Sequence, residues 1–205
     1  MFRKDIDSFL STIPSEVTLV AATKYVDVIT LNEMIDHHIF DFGENRVDSF
    51  LTKYESLKNN PNIIWHFIGH LQRNKAKQVL DKIDYLHSLD SLKLAKIIDC
   101  ERKEPLKCFV EVHMTSSITK NGVKKEDLES FLNDLKTYKK VEVIGLMTMT
   151  EVNDDDNTKY EIFKELKLLA DKYHLKELSM GMSQDYKEAM KAGATFVRLG
   201  HIICD

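Results

Sequence analysis

The chain alternates, about eight times over, between a short apolar run and a longer amphipathic stretch, and few folds accommodate that rhythm. The apolar runs lie at residues 17–22, 40–43, 63–68, 85–89, 108–114, 141–149, 177–182 and 195–199. Helix-like stretches fall between them: 28–38, from near Asn45, 72–81, 91–101, from near Glu126, 158–173 and 184–191. In the longest of these, Ile162, Phe163, Leu166, Leu169 and Ala170 recur at helical spacing. Strands this apolar are covered on both faces, as in a parallel sheet wrapped by helices.

Two architectures answer to that description. A doubly wound sheet calls for a glycine fingerprint after the first strand. Here that position holds Thr23-Lys24-Tyr25, with no glycine. The expectation is therefore an α/β fold of the closed (β/α)8 barrel type with parallel strands, which leaves no open sheet edge. A full barrel usually takes about 250 residues. This chain has 205, so residues 1–205 are expected to form one barrel domain with short loops. The acidic run Asp154-Asp155-Asp156 reads as a solvated helix start, favoured by the helix dipole, rather than a metal site.

Composition narrows the function classes. The formal net charge of −4 gives no bulk attraction to nucleic acid. Cys100, Cys108 and Cys204 are odd in number and lack CxxC spacing, so neither a disulfide framework nor a zinc site is expected, and a reducing cytoplasm suits them. No signal peptide or membrane-spanning run is read.

Barrels carry function at the C-terminal ends of their strands. Lys24 ends the first run, either as a surface lysine or as an amine shielded in the barrel mouth and thereby made nucleophilic toward an aldehyde. In Ser179-Met180-Gly181-Met182-Ser183, Gly181 permits a tight turn and Ser183 stands where a helix N-cap is expected. The same helix start suits a phosphate. In Val197-Arg198-Leu199-Gly200, Gly200 lets backbone N–H groups face an anion, and Arg198 is either an ion-pair residue or a guanidinium aimed into the mouth. His66, within Trp65-His66-Phe67-Ile68-Gly69-His70, reads as a hydrogen-bonded core histidine, and His70 as a candidate cap for the next helix. The HxxxH spacing lacks a glutamate after its first histidine and lies on a strand and turn, which sets a zinc protease aside.

Taken in order, Leu19-Val20-Ala21-Ala22-Thr23-Lys24, Phe42-Gly43-Glu44-Asn45, the string at 65–75, His87-Ser88-Leu89-Asp90, Gly145-Leu146-Met147-Thr148-Met149, the string at 178–183 and Val197-Arg198-Leu199-Gly200 resemble the pyridoxal 5′-phosphate (PLP) homeostasis family, which shares the barrel of bacterial alanine racemase. The resemblance implies PLP as cofactor, held as a Schiff base on Lys24. It further implies that Asn45 lines the ring, Met147 lies on the strand beneath it, Ser183, Gly200 and His201 meet the phosphate, and Arg198 faces the pyridine nitrogen. An arginine keeps its proton. It would leave that nitrogen unprotonated and weaken the ring as an electron sink, which favours holding the cofactor over carbanion chemistry.

The implied function is a cytoplasmic carrier or buffer of PLP in vitamin B6 homeostasis. It is expected to be a monomer without catalytic residues, metal, nucleic-acid or membrane partner, and to meet PLP-dependent apoenzymes only transiently. Racemases of this fold add a β-rich domain that supplies a second base, for which this chain is expected to have no room. The alternatives are a PLP-dependent amino-acid enzyme such as a weak racemase, with Tyr25 or His201 as base, and a barrel for another phosphorylated metabolite. The chain departs from the family's pattern in its short first helix, in Tyr25 after Lys24, in His201 where threonine is usual, in the loop at 117–122 and in its ending at Ile203-Cys204-Asp205.

Overall fold

The computed structural model describes residues 2–115 and 121–204. Of the 117–122 loop, residues 117–120 lie outside the described residues.

Eight parallel strands close on themselves: β1 (Thr18–Ala22), β2 (Asp41–Glu44), β3 (Ile64–Phe67), β4 (Tyr85–Leu89), β5 (Leu106–His113), β7 (Val141–Met147), β8 (Glu177–Met182) and β9 (Phe196–Leu199). They neighbour one another in chain order. Pairing of β1 with β9 and of β4 with β5 completes the circle, so the barrel expected from the sequence is the one observed. A two-residue strand, β6 (Val123–Lys124), adds to the end of β5.

Helices return the chain outside the barrel: α2 (Val28–Asp36), α3 (Val47–Leu57), α4 (Arg73–Ala76), α5 (Leu92–Glu101), α6 (Leu128–Leu135), α7 (Asp156–Lys172) and α8 (Tyr186–Lys191). A short α1 (Ile6–Leu10) precedes β1. The helix starts are written locally. Asp27 accepts the N–H of Thr30 at 2.8 Å, and Asp155 that of Thr158 at 2.8 Å, each satisfying a donor the helix leaves open. Asp155 thus makes the acidic run a helix start, as expected. Phe2 forms an antiparallel bridge to Cys204, which ties the segment before α1 to the one after β9.

The apolar interior divides in two. One core lies between strands and helices, with Phe42, Phe50, Trp65, Leu86, Leu146 and Phe163 among its members. The other fills the barrel itself, where Val20, Ile68, Phe109, Met147 and Phe196 pack together.

Two helices differ from expectation. The helix expected over 72–81 stops at Ala76 and continues as turns. Arg102 explains the arrest: its Nη1 donates to the carbonyls of Leu80, at 2.5 Å, and Ile83, at 3.1 Å, which pins the turns from outside. The helix expected from Gln184 begins at Tyr186. Asp185 is its N-cap residue, and Ser183 caps nothing.

Candidate functional site

A cavity of about 530 Å³ opens at the C-terminal ends of the strands. Its walls come from the loops after β1, β2, β7, β8 and β9, and they include Lys24, Asn45, Ser183, Arg198, Gly200 and His201. Six of the seven residues singled out from the sequence therefore share one space. The seventh, Met147, lies deeper, buried in the barrel's own core with Val20 and Phe109. The cavity is also lined by Thr150 and by Lys159 of α7, the latter a residue that sequence reading passed over. Lys159 is buried on the inner side of its helix.

Of the two alternatives for Lys24 the exposed one holds, although the residue lines the cavity; its ammonium stands 4.6 Å from the centre of the Tyr25 ring. What fixes Lys24 is the residue before it. Thr23 is buried, its N–H donating to Gly43 O at 2.9 Å and its hydroxyl to Glu44 Oε1 at 2.6 Å. Behind the strand, the buried Lys53 ammonium of α3 donates to Thr23 O and to Glu44 Oε1. The chain is thus clamped at the residue before Lys24.

Asn45 is placed by a close crossing. A Cβ on Gly69 would stand 2.4 Å from Asn45 O, so only glycine lets the loop after β3 lie against the end of β2. Gly181, at φ +91°, turns the end of β8 where a side chain would meet Ala189 Cβ at 2.6 Å. That is the tight turn expected of it, made where no side chain would fit.

At the far wall, the Ser183 hydroxyl accepts the backbone N–H groups of Gly200, at 3.1 Å, and Ile202, at 3.3 Å. Two amide donors from the last turn of the chain therefore converge on a single oxygen. Neither backbone conformation nor packing demands glycine at 200, since an added Cβ would meet Ala22 O at an ordinary 3.4 Å.

Arg198 is buried in the wall. It donates from Nη1 to Ser179 Oγ at 2.6 Å and from Nη2 to Thr148 O at 3.1 Å. Burial draws its pKa down to about 10, opposed by the charges of Asp185 and Glu111, and it stays cationic at neutral pH. Beneath it lie His87 and His66. His87 Nδ1 is 2.7 Å from Ser179 Oγ, His87 Nε2 is 3.0 Å from His66 Nδ1, and His66 Nε2 is 3.0 Å from Asp41 Oδ1. His66 is thus the hydrogen-bonded core histidine anticipated. His70 instead pairs with Asp90, Nδ1 to Oδ2 at 3.2 Å.

These donors suit a phosphorylated aromatic aldehyde. A primary amine stands at one side, a fixed cation in the wall, and at the other side the Ser183 hydroxyl, which accepts from two backbone N–H groups and has its own proton left to donate, in a space of the size small cofactors occupy.

Residues 9–204 match the family described as alanine racemase, N-terminal domain. The pyridoxal phosphate homeostasis protein of a Synechocystis strain is 37% identical over 99% of this chain and 98% of its own length. The structure of PipY from Synechococcus elongatus without PLP superposes with a TM-score of 0.94 at 29% identity, covering 100% of both chains. PipY with PLP bound gives 0.92 over 98% of this chain and 99% of that one, also at 29% identity. Alanine racemase from Corynebacterium glutamicum shares the fold alone, with a TM-score of 0.66 at 17% identity over 92% of this chain and 55% of the racemase. With the match running along nearly its whole length, the chain belongs to the alanine racemase N-terminal domain family and, within it, to the pyridoxal phosphate homeostasis proteins.

Proposed function

We propose that this chain binds PLP and buffers or carries it in intracellular vitamin B6 homeostasis, residues 1–205 acting as one domain. The observation that carries the reading is the convergence of Lys24, Arg198, Ser183 and the Gly200 amide on one cavity, in a chain whose relative PipY has a structure with PLP bound. Lys24 supplies the amine that holds the aldehyde carbon covalently. The hydroxyl of Ser183 and the N–H groups of Gly200 and His201 hold the phosphate, charge-assisted donors being the strong ones for an oxyanion. Asn45 lines the ring, and Met147 supports it from the barrel core.

PLP, when bound, supplies an electron sink to amino groups attached to it. Arg198 works against that use. Its guanidinium holds its own proton, so it presents a donor to the pyridine nitrogen and leaves that nitrogen without one. The reading is therefore a binding protein without turnover, in the cytoplasm, monomeric, and in brief contact with apoenzymes that accept PLP. Among the described residues, no helix is long and apolar enough to cross a membrane.

A second reading, a PLP-dependent amino-acid enzyme such as a weak racemase, is favoured by one observation. Tyr25, 80% exposed, and His201, also exposed, both line the cavity and could serve as bases. Deuterium exchange at Cα across a panel of amino acids would support turnover; none would leave the carrier.

The direct experiment is an absorption scan of the purified chain with PLP, before and after borohydride, followed by peptide mass mapping. A visible band that reduction fixes onto Lys24, and that Lys24→Ala abolishes, is the expected result. No band with PLP added would replace PLP by another phosphorylated ligand. A reducible adduct surviving in Lys24→Ala would move the covalent site elsewhere.

A further inference from the structure

We propose that Asp41, His66, His87 and Ser179 form a one-directional hydrogen-bond chain through the barrel that positions the Arg198 guanidinium in the cavity.

The direction follows from the two ends. Arg198 can only donate, so Ser179 Oγ accepts from it. The serine proton is then free to point at His87 Nδ1, which makes that nitrogen the acceptor and places the ring proton on Nε2. His87 Nε2–H faces His66 Nδ1, which accepts, and the His66 proton therefore sits on Nε2, where it donates to Asp41 Oδ1. Every polar atom along the path has a partner in a role it can fill, with both imidazoles neutral.

The reverse polarity fails at its last link. If His87 donated from Nδ1, His66 would have to donate from Nδ1, and its Nε2 lone pair would face a carboxylate unless the ring were cationic. Both rings are fully buried, and desolvation lowers both pKa values, that of His87 the more, with the charges of His66 and Arg198 adding to it. Asp41 and Asp84 pull His66 the other way without overcoming burial.

The path crosses five strands: β2, β3, β4, β8 and β9. It runs from Asp41 at the start of β2 to Arg198 at the end of β9, that is, from the lower mouth of the barrel to the cavity. Both rings are packed against aromatic neighbours. Tyr85 stacks on His66 at 4.6 Å and 8°, and Phe109 covers His87 at 4.5 Å. Ser179, its proton committed to His87, can only offer a lone pair to Arg198, and the polarised chain behind it strengthens that acceptor. Arg198 is thereby fixed in orientation, and Asp41, His66, His87 and Ser179 act as positioning residues. The consequence for PLP rests on the proposed function; the tautomers do not.

Two measurements test the two halves. In the full-length chain labelled with ¹⁵N-histidine, long-range ¹H–¹⁵N correlation reads each ring's tautomer, the signals being assigned from His66→Gln and His87→Gln. Both rings are expected as neutral Nε2–H at neutral pH, with and without PLP. A ring found as Nδ1–H or as imidazolium overturns the chain. In the second, PLP affinity and the visible spectrum are compared in Ser179→Ala, His87→Leu and His87→Gln. The two breaking variants are expected to bind about tenfold more weakly, with a shifted band, as suits loss of one hydrogen bond to a charged group. The glutamine variant, whose amide can accept from Ser179 and donate to His66, is expected to restore both readouts. Wild-type affinity and spectrum in Ser179→Ala and His87→Leu would overturn the positioning role, as would failure of glutamine to restore where leucine breaks. If the breaking variants do not fold, the wild-type tautomers still decide the chain. A wild-type protein that takes up no PLP removes the cofactor role while the tautomers stand.

Discussion

Replacing Lys53 by methionine tests whether the clamp behind Lys24 is an ion pair. Lys53 is 6% exposed and Glu44 is fully buried, and the lysine donates to both Glu44 Oε1 and Thr23 O. The other carboxylate oxygen, Oε2, has no hydrogen-bond partner, so Glu44 depends on Lys53 and Thr23 through a single oxygen. Methionine keeps most of the apolar stem and removes the charge. Breaking a buried pair at one partner typically costs about 3–5 kcal/mol, because the remaining charge stays buried alone. At about 2–4 °C per kcal/mol for a chain of this size, Tm should fall by roughly 6–20 °C. The assay is urea unfolding followed by circular dichroism, with the m-value checked for constancy. Lys53→Met/Glu44→Gln removes the orphaned charge and should recover about 2 kcal/mol or more of the loss. PLP uptake should drop in the single variant as well, since Thr23 O loses the donor that fixes the residue before Lys24. A loss under about 1 kcal/mol in Lys53→Met would refute an ion pair as what secures this strand end.

Gly200→Ala should fold within about 1 kcal/mol of wild type, the new Cβ meeting only ordinary contacts, yet bind PLP more weakly by equilibrium dialysis because the methyl group enters the cavity wall. Gly69→Ala should cost about 1–3 kcal/mol in urea melts, since its Cβ would stand 2.4 Å from Asn45 O and push the loops apart. Phe109→Ala should cost about 3–5 kcal/mol by hollowing the barrel core, and should also loosen His87, read as broadening of its ring signals. Acid should destabilise the fold through the two buried histidines: their folded pKa values lie below the unfolded value near 6.5, so the unfolded chain takes up protons first and stability falls as pH drops below about 6.5. His87→Gln should reduce that slope by up to about 1.4 kcal/mol per pH unit in urea melts, and an unchanged slope would contradict the assignment.

The strands were legible because each is a short, mostly apolar run between amphipathic stretches, and the missing glycine fingerprint decided between an open sheet and a barrel. The short α4 was not legible, because what ends it is an arginine more than twenty residues later, at 102, reaching back to two carbonyls. Ser183 stood at a plausible cap position, but Asp185 Oδ1 accepts the Met182 N–H at 2.5 Å and leads the helix in, which frees the serine to meet Gly200 and Ile202. Lys53 and Lys159 carried no signal: a lysine in an amphipathic helix reads as solvent-facing, and only the partners across the fold show otherwise. For Lys24 the sequence left a surface and a shielded reading open, since a strand end fixes where a side chain emerges and not how deeply the surrounding loops bury it.

The barrel's polar path marks the boundary of sequence reading most sharply. Alternation in Trp65-His66-Phe67-Ile68 shows that His66 shares a face with Ile68, yet cannot say that this face is the inside of the barrel. Asp41, His66, His87, Ser179 and Arg198 meet only because five strands close in one register, with His87 and Ser179 ninety-two residues apart. A barrel built for stability alone fills its layers with branched apolar side chains. Here two histidines, a serine and an arginine occupy that space, and their desolvation costs free energy that hydrogen bonds only partly return. Departures of that kind concentrate where function needs them. The departure in this chain leads in a line to Arg198, whose guanidinium stands in the wall of the cavity that also holds Lys24.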